Sequence, residues 1–200
     1  MKTIVALASL LLLLSFSSFT LAAEPIKTLV FETAVAEMFL KGNLTKGKKP
    51  DDLVIAKYPG KIFNPIITIE PKGKKPAGRT TPENTSTLDY HAYRANDPKA
   101  MLANYDVSEH EKLKRMLDNQ EMRQQTYRMY QGYGLKFILG KALYKDYILL
   151  FVAYNSPDES RAIETYKKVG NEWKRVTTLT GDENYFHMLS AYQRGRILEQ

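Results

Sequence analysis

The sequence predicts an α+β fold, in which a helical region precedes an antiparallel sheet. Residues 82–132 carry helix-start signals and apolar side chains at helical spacing, whereas residues 133–178 largely alternate between apolar and polar positions. Short turns at Asn155–Asp158 and Gly170–Asn171 separate the alternating stretches. Turns of this length join antiparallel neighbours. Helices followed by an antiparallel meander are typical of the α+β class.

Two helices are predicted at the start of this domain. The first begins at Pro82, because Thr81 can cap it and Glu83 places an acid in its first turn. Asp97 and Pro98 provide the same signals for a second helix. Both starts rest on side-chain chemistry rather than on apolar spacing alone.

A third helix and four strands follow. Ser108 and Glu111 have the spacing of a capping box, which would open a helix ending before Gly132. The run Tyr147–Tyr154 is apolar on both faces, so we expect it to be a central, doubly covered strand. Three other strands are predicted. In the first of them, Tyr133, Leu135, Phe137 and Leu139 share one face. The other two follow the central strand and are Arg161–Lys168 and Trp173–Thr178.

Residues 24–79 are predicted to form an N-terminal α/β extension ahead of the domain at 80–200. Apolar spacing predicts a helix from about Thr28 to Lys41, and β-branched runs predict strands at 53–55 and 66–69. We expect this extension to cover the outer face of the central strand in a monomer. Coverage by a second subunit, in a dimer, is the alternative.

The first 23 residues read as a cleaved signal peptide. Lys2 is followed by the apolar run Ile4–Leu14 and by small residues up to Ala22 and Ala23, either of which could precede the cut. An uncleaved membrane anchor is the alternative. We expect export to the periplasm, no transmembrane segment in the mature protein, and no nucleic-acid partner.

Composition narrows the chemistry further. The chain has no cysteine, which excludes disulfides, thiol nucleophiles and zinc–thiolate sites. Its net charge is +7, with basic residues concentrated in two short segments, at 46–49 and 72–79. These segments read as solvated loops, and attraction to an anionic envelope surface is their functional interpretation.

Segments at the start and the end of residues 80–178 carry a pattern typical of one family. The segments Thr81–Glu83, Tyr93–Leu102 and Tyr105–Asp106 resemble the opening of the nuclear-transport-factor-2-like superfamily, in which a first helix ends in a short stop and a second follows. The segments Ala162–Lys168 and Gly170–Lys174 resemble its last hairpin. The likeness covers residues 80–178, and this superfamily hosts unrelated functions.

The resemblance implies a cone, in which a strongly curved sheet wraps around the helices and leaves a pocket between its concave face and the first helix. The candidate ligand-binding residues are Tyr90, Tyr93 and Tyr105 from the helices and Phe137, Phe151, Tyr166 and Trp173 from the strands. Ordinary core packing is the alternative for each of these aromatics.

Superfamily members that act as isomerases or dehydratases place Asp, His and Tyr inside the cone, and this chain departs from that arrangement. Glu164 is the single acid of the predicted strands outside turns. Asp89 and His91 lie two residues apart on a helix and so point to different faces. We therefore expect no catalytic residues, no metal site and no cofactor.

Two functions of different classes remain, and an isomerase- or dehydratase-like enzyme is a third and weaker one. In the first, the cone of an exported, non-enzymatic protein holds a small apolar or amphipathic ligand. In the alternative, the cone is filled by its own side chains and the protein is an interaction or scaffold module that binds an envelope protein. The 13 tyrosines suit either function, because tyrosine serves pockets and interfaces alike.

Overall fold

The computed structural model describes residues 27–200, which form a seven-stranded antiparallel sheet and five α-helices. The strands are β1 (Lys27–Ala34), β2 (Leu53–Ile69), β3 (Lys136–Tyr144), β4 (Tyr147–Tyr154), β5 (Arg161–Val169), β6 (Glu172–Val176) and β7 (Ile197–Glu199). The helices are α1 (Pro82–Arg94), α2 (Pro98–Asn104), α3 (His110–Asp118), α4 (Gln120–Gly132) and α5 (Glu183–Gln193). The sheet is open, with strand order β6-β5-β4-β3-β2-β1-β7. The predicted α+β class and the antiparallel meander from β3 to β6 are confirmed.

The predicted signal peptide, residues 1–23, lies outside the described residues. Within residues 27–200, none of the helices combines the length and the apolar character needed to cross a bilayer.

The segment predicted as a helix from Thr28 to Lys41 begins with strand β1 instead. β1 pairs with β2 along its whole length, and a short 3-10 turn at Val35–Glu37 follows it. The helical prediction is wrong because Leu29, Val30 and Phe31 are consecutive buried residues. A strand covered on both faces buries neighbouring side chains, and its apolar run cannot be told from helical spacing by periodicity alone.

The two short strands predicted near residues 53–55 and 66–69 are the ends of one strand, β2. Its pairing with β3 shifts register between Ile62 and Ile67, where Pro65 cannot donate a backbone hydrogen bond. Because β2 pairs with β3, strands from before and after residue 79 share one continuous sheet.

Helices α1 and α2 begin where their capping signals predict. The Thr81 hydroxyl accepts a hydrogen bond from the Asn84 backbone N–H at 3.1 Å, and the Asp97 carboxylate accepts one from Ala100 N–H at 3.0 Å. These side chains satisfy backbone donors that have no partner within the first helical turn. Both predicted starts are confirmed.

The predicted third helix is two helices, α3 and α4, divided at Asn119. The Asn119 side chain caps α4 by accepting a hydrogen bond from Met122 N–H at 3.0 Å. The predicted capping box is wrong, because Ser108 lies in a 3-10 turn and donates to Asp106 rather than capping α3. The break at Asn119 positions the start of α4 beside α3.

Strand β4 is central and buried on both faces, as predicted. One face packs beneath helices α1 to α4 and the other beneath α5. Residues 24–71 contribute to the outer face as predicted, because Leu29 and Phe31 of β1 pack there with Phe151, but the helix on that face is α5, through Met188 and Ala191. Asp182 starts α5 by accepting a hydrogen bond from Tyr185 N–H at 3.0 Å.

Two further strand predictions need correction. Strand β3 begins at Lys136 rather than at Tyr133, and a register shift between Ile138 and Gly140 interrupts its alternation. The sheet also continues beyond Thr178, because β7 pairs with β1 and forms one edge of the sheet. A three-residue strand such as β7 is too short to show periodicity.

Candidate functional site

Six tyrosines pack together between the sheet and helices α1, α2 and α4, and we call them the tyrosine cluster. They are Tyr90, Tyr93, Tyr105, Tyr130, Tyr154 and Tyr166, and each is at most 8 % exposed. The rings of Tyr93 and Tyr130 stack with their centroids 4.5 Å apart. Four of the seven predicted ligand-binding residues lie in this cluster, and Trp173 packs against it partly buried.

The other two predicted residues lie elsewhere. Phe151 belongs to the opposite face of the sheet, where it packs against Phe31 and Tyr192. Phe137 follows the buried Lys136 along β3, so its side chain also points away from the cluster. Neither can share a pocket with Tyr90, because the sheet stands between them.

A buried ion pair joins Lys136 and Glu164 inside the tyrosine cluster. The Lys136 Nζ lies 2.9 Å from Glu164 Oε1 and 3.0 Å from Oε2, and it also contacts the Ser86 carbonyl oxygen at 3.3 Å. The hydroxyls of Ser86 and Tyr166 donate to Glu164 Oε2 at 2.6 and 2.8 Å, and Tyr154 donates to Oε1 at 3.2 Å. Every oxygen of this carboxylate is therefore hydrogen-bonded.

Arg175 extends the ion pair toward helix α1. Its guanidinium donates to the Asp89 carboxylate and lies 3.5 Å from Glu164 Oε1. It also packs over the Tyr105 ring, 5.5 Å from the centroid. Two cations and two carboxylates thus offset each other beneath the helices, although Asp89 Oδ1 has no hydrogen-bond partner within the described residues.

This network changes the acidity of its members. Burial alone would raise the pKa of Glu164, but the charges of Lys136 and Arg175 outweigh it and lower that pKa to about 2. Burial lowers the pKa of Lys136, and Glu164 opposes that effect. Burial together with the charge of Asp89 raises the pKa of Tyr93 to about 12. Glu164 is therefore an anion at neutral pH and the Tyr93 hydroxyl is protonated.

An apolar cleft of about 610 Å³ opens beside the tyrosine cluster, and we call it the α3 cleft. Tyr93 and Tyr105 form one wall, with their hydroxyl oxygens 3.2 Å apart. Its remaining lining residues are Leu113, Met116 and Met122, which are apolar, and Glu109, Lys112, Arg115 and Thr177, which are polar. The volume lies within the range of small-molecule sites, roughly 300–1,000 Å³.

Local structure explains why these side chains meet. Leu113 and Met116 lie three residues apart on α3 and so share one helix face. The Asn119 cap turns the chain so that Met122, in the first turn of α4, faces the same cleft. Tyr105 ends α2, where its backbone N–H bonds to the Leu102 carbonyl. Tyr93 of α1, Tyr105 at the end of α2 and the side chains of α3 and α4 therefore meet around one cleft.

No protein-family model, curated protein or solved structure matches this chain. The site's chemistry must therefore be judged from its own geometry. Within residues 27–200, no three His, Asp or Glu side chains are grouped so that they could hold a metal ion.

None of the three histidines is among the residues that line the cleft. His187 is fully buried on α5, where its Nε2 lies 3.1 Å from the Val54 carbonyl oxygen. His91 is also buried, at 5 % exposed. Burial lowers the pKa of both rings. His110 is partly buried at the start of α3, with its Nε2 3.2 Å from the Tyr105 carbonyl oxygen.

Lys136, Arg175, Met116 and Met122 are among the site residues that the sequence did not single out. Lys136 carried a signal, because it shares a strand face with the apolar Ile138 and is followed by the apolar Phe137. A charged residue on such a face needs a buried counter-charge, and Glu164 was the one acid available from the strands. The two methionines carried no signal beyond helical apolar spacing.

Proposed function

We propose that this protein binds a small apolar or amphipathic molecule in the α3 cleft and performs no catalysis on it. The observation that supports this proposal most strongly is which residues form the wall of the cleft. Tyr93 and Tyr105, two residues that the sequence nominates for ligand binding, border an apolar space of about 610 Å³. Pockets of this kind combine apolar walls with a few polar groups that fix orientation.

The tyrosine cluster itself is a packed core rather than the binding cavity. Tyr90 and Tyr166 are fully buried, and Tyr133 stacks on Tyr154 with centroids 4.3 Å apart. The interior is thus filled by the protein's own side chains. A ligand enters the α3 cleft beside the cluster, where Met116 and Met122 are partly exposed.

Binding without catalysis fits the state of the buried acids. Both oxygens of Glu164 are occupied by hydrogen bonds, and Asp89 is paired with Arg175. A small opening of about 160 Å³ between β5 and residues 177–180 reaches Glu164 and Arg175. This space is below the size of a typical small-molecule site, so an isomerase- or dehydratase-like enzyme is the weaker candidate.

A nuclear-transport-factor-2-like cone and export to the periplasm belong to the same proposal. The cone is supported by helices α1 to α4 lying on one sheet face, with α1 contacting β4 and β6. Export is supported by the charge and apolar order of residues 1–23. Mass spectrometry of the mature N-terminus tests export: a chain beginning after Ala22 or Ala23 supports it, and an intact Met1 in a membrane fraction contradicts it.

Native mass spectrometry of the purified protein tests ligand binding. We expect a bound small molecule that dissociates when organic solvent unfolds the chain. If the protein is instead free of bound molecules and a library of apolar and amphipathic compounds gives no thermal shift, the binding proposal is wrong.

An interaction module is the second candidate, and the exposed face of β2 favours it. Leu53 and Ile55 are 53 % and 54 % exposed, on either side of the buried Val54. Contiguous exposed apolar residues of this kind mark interaction surfaces. If this surface is functional, Ile55→Lys abolishes a dimer or hetero-complex seen by light scattering. An unchanged monomer, with or without the substitution, contradicts the second candidate.

A further inference from the structure

We propose that the α3 cleft selects amphiphiles whose head group is anionic, with the head held at the rim by Lys112 and Arg115. This inference rests on the proposed binding function and adds the charge of the ligand to it. The inference rests on three observations: the position of the two cations at the rim, the hydrogen bonds that already occupy the one acid of the lining, and the mainly apolar character of the inner part of the cleft.

The two cations stand side by side at the rim. Lys112 and Arg115 are three residues apart on α3, and Lys112 and Met116 are four apart, so all three occupy one face of the helix. Both cationic residues are exposed, whereas Leu113 beside them is 7 % exposed. A ligand lying against Met116 therefore has both positive charges within reach of its exposed end.

The acid in the lining is already hydrogen-bonded. Glu109 is 7 % exposed, and its carboxylate accepts hydrogen bonds from the Thr177 N–H at 2.8 Å and the Thr177 hydroxyl at 2.6 Å. Lys112 and Arg115 form no ion pair within residues 27–200, and Lys112 Nζ has a single weak contact at 3.3 Å with Thr177 Oγ1. Two cations against one acid leave the residues that line the cleft with a net positive charge.

The inner part of the cleft is mainly apolar, and its one charged residue, Glu109, is hydrogen-bonded to Thr177, whereas the two cations stand at the opening. Tyr93, Tyr105 and Leu113 are buried and form its inner part. Lys112 and Arg115 are exposed at its opening. This division orients a ligand with its hydrocarbon part inward and its head toward solvent. The overall charge of +7 further favours the approach of an anion over that of a cation.

A competition experiment with three ligands of equal chain length tests the inference. The neutral dye Nile red is bound to the folded protein and displaced by decanoate, decanol or decylamine. We expect decanoate to have an inhibition constant about fivefold lower than decanol, since two exposed charge contacts contribute about 1 kcal/mol in total. Decylamine should be the weakest competitor, and the preference should shrink as salt is added.

Variants of Lys112 and Arg115 test whether the preference for decanoate arises at the rim of the cleft. In Lys112→Gln/Arg115→Gln, decanoate and decanol should have equal inhibition constants, each calculated with the dye affinity measured for that variant. The matched control Lys99→Gln/Lys114→Gln removes the same charge from exposed positions of α2 and α3 outside the cleft, and it should keep most of the preference. Circular dichroism establishes that both double variants are folded.

The outcomes separate the two proposals. Equal displacement by decanoate and decanol in the wild-type protein overturns the anionic selectivity and leaves the binding function standing. A preference for decanoate that survives in Lys112→Gln/Arg115→Gln also overturns it, because the head then binds elsewhere. Failure of the folded wild-type protein to bind Nile red or any of the three ligands contradicts the binding function and the selectivity together.

Discussion

The ammonium of Lys136 lies 2.9 Å from Glu164 Oε1 beneath helix α1, and both side chains are 1 % exposed. Moving two such charges out of water is costly, and their attraction offsets that cost only when the remaining hydrogen-bonding groups are satisfied. Ser86, Tyr154 and Tyr166 supply those hydrogen bonds to Glu164. The pair therefore fixes how α1 sits on strands β3, β4 and β5.

Glu164→Gln should destabilise the protein by about 3–5 kcal/mol, because Lys136 and Arg175 would then lack their shared counter-charge. Urea unfolding at neutral pH measures this change. Lys141→Gln is the control, since Lys141 is one-third exposed in its 2.8 Å pair with Glu83 and should lose about 1 kcal/mol or less. Similar losses in the two variants would show that the buried network does not hold the fold.

Stability should fall between about pH 7 and pH 5.5 because of His91 and His187. Burial lowers the pKa of both in the folded protein, so the unfolded chain takes up protons near its ordinary pKa of 6.5 while the native state does not. A group with a lowered native pKa of this kind makes stability rise with pH and fall on acidification. The loss grows with the size of each shift and is at most about 1 kcal/mol per histidine over this range, the limit at which the native ring takes up no proton.

Urea unfolding at the two pH values measures that loss in wild type and in His187→Gln, whose amide can still donate to the Val54 carbonyl. The variant should lose about half of the pH dependence. His110→Gln serves as the control, because His110 is less buried at the start of α3. A wild-type protein equally stable at both pH values would contradict the assignment of neutral buried rings.

Met188→Ala should destabilise the protein by about 2–5 kcal/mol, because Met188 is fully buried where α5 covers the outer face of the sheet. Leu198→Ala, at a 53 % exposed position on β7, should cost far less. Thermal unfolding of the two variants compares them. Equal losses would mean that α5 is not the layer that closes the core on the outer face of the sheet.

The elements that the sequence predicted well are those with local chemical signals. Thr81 and Asp97 cap α1 and α2 with their own side chains, and the apolar run of β4 needs cover on both faces wherever it lies. Such signals depend on neighbours in the chain. They can therefore be recognised in the sequence without knowledge of the tertiary structure.

The elements that the sequence did not predict depend on partners that are distant along the chain. β1 is a strand because β2 pairs with it, and β7 exists because β1 offers a free edge about 170 residues earlier in the chain. In the candidate site, too, some residues could be predicted from the sequence and others could not. Tyr93 and Tyr105 could be nominated because the family resemblance implies a pocket beside the first helix, but Met122 joins the cleft through the break at Asn119, which apolar spacing does not reveal.

The most direct test of the binding proposal compares two methionines of α4. Met122 and Met129 are 48 % and 46 % exposed, and only Met122 lines the α3 cleft. We measure Nile red binding by fluorescence in Met122→Glu and in Met129→Glu, after establishing that both are folded. We expect at least about tenfold weaker binding in Met122→Glu, because a carboxylate in the apolar wall must stay hydrated, and near wild-type binding in Met129→Glu. Equal affinity in both variants would contradict a ligand site in the α3 cleft.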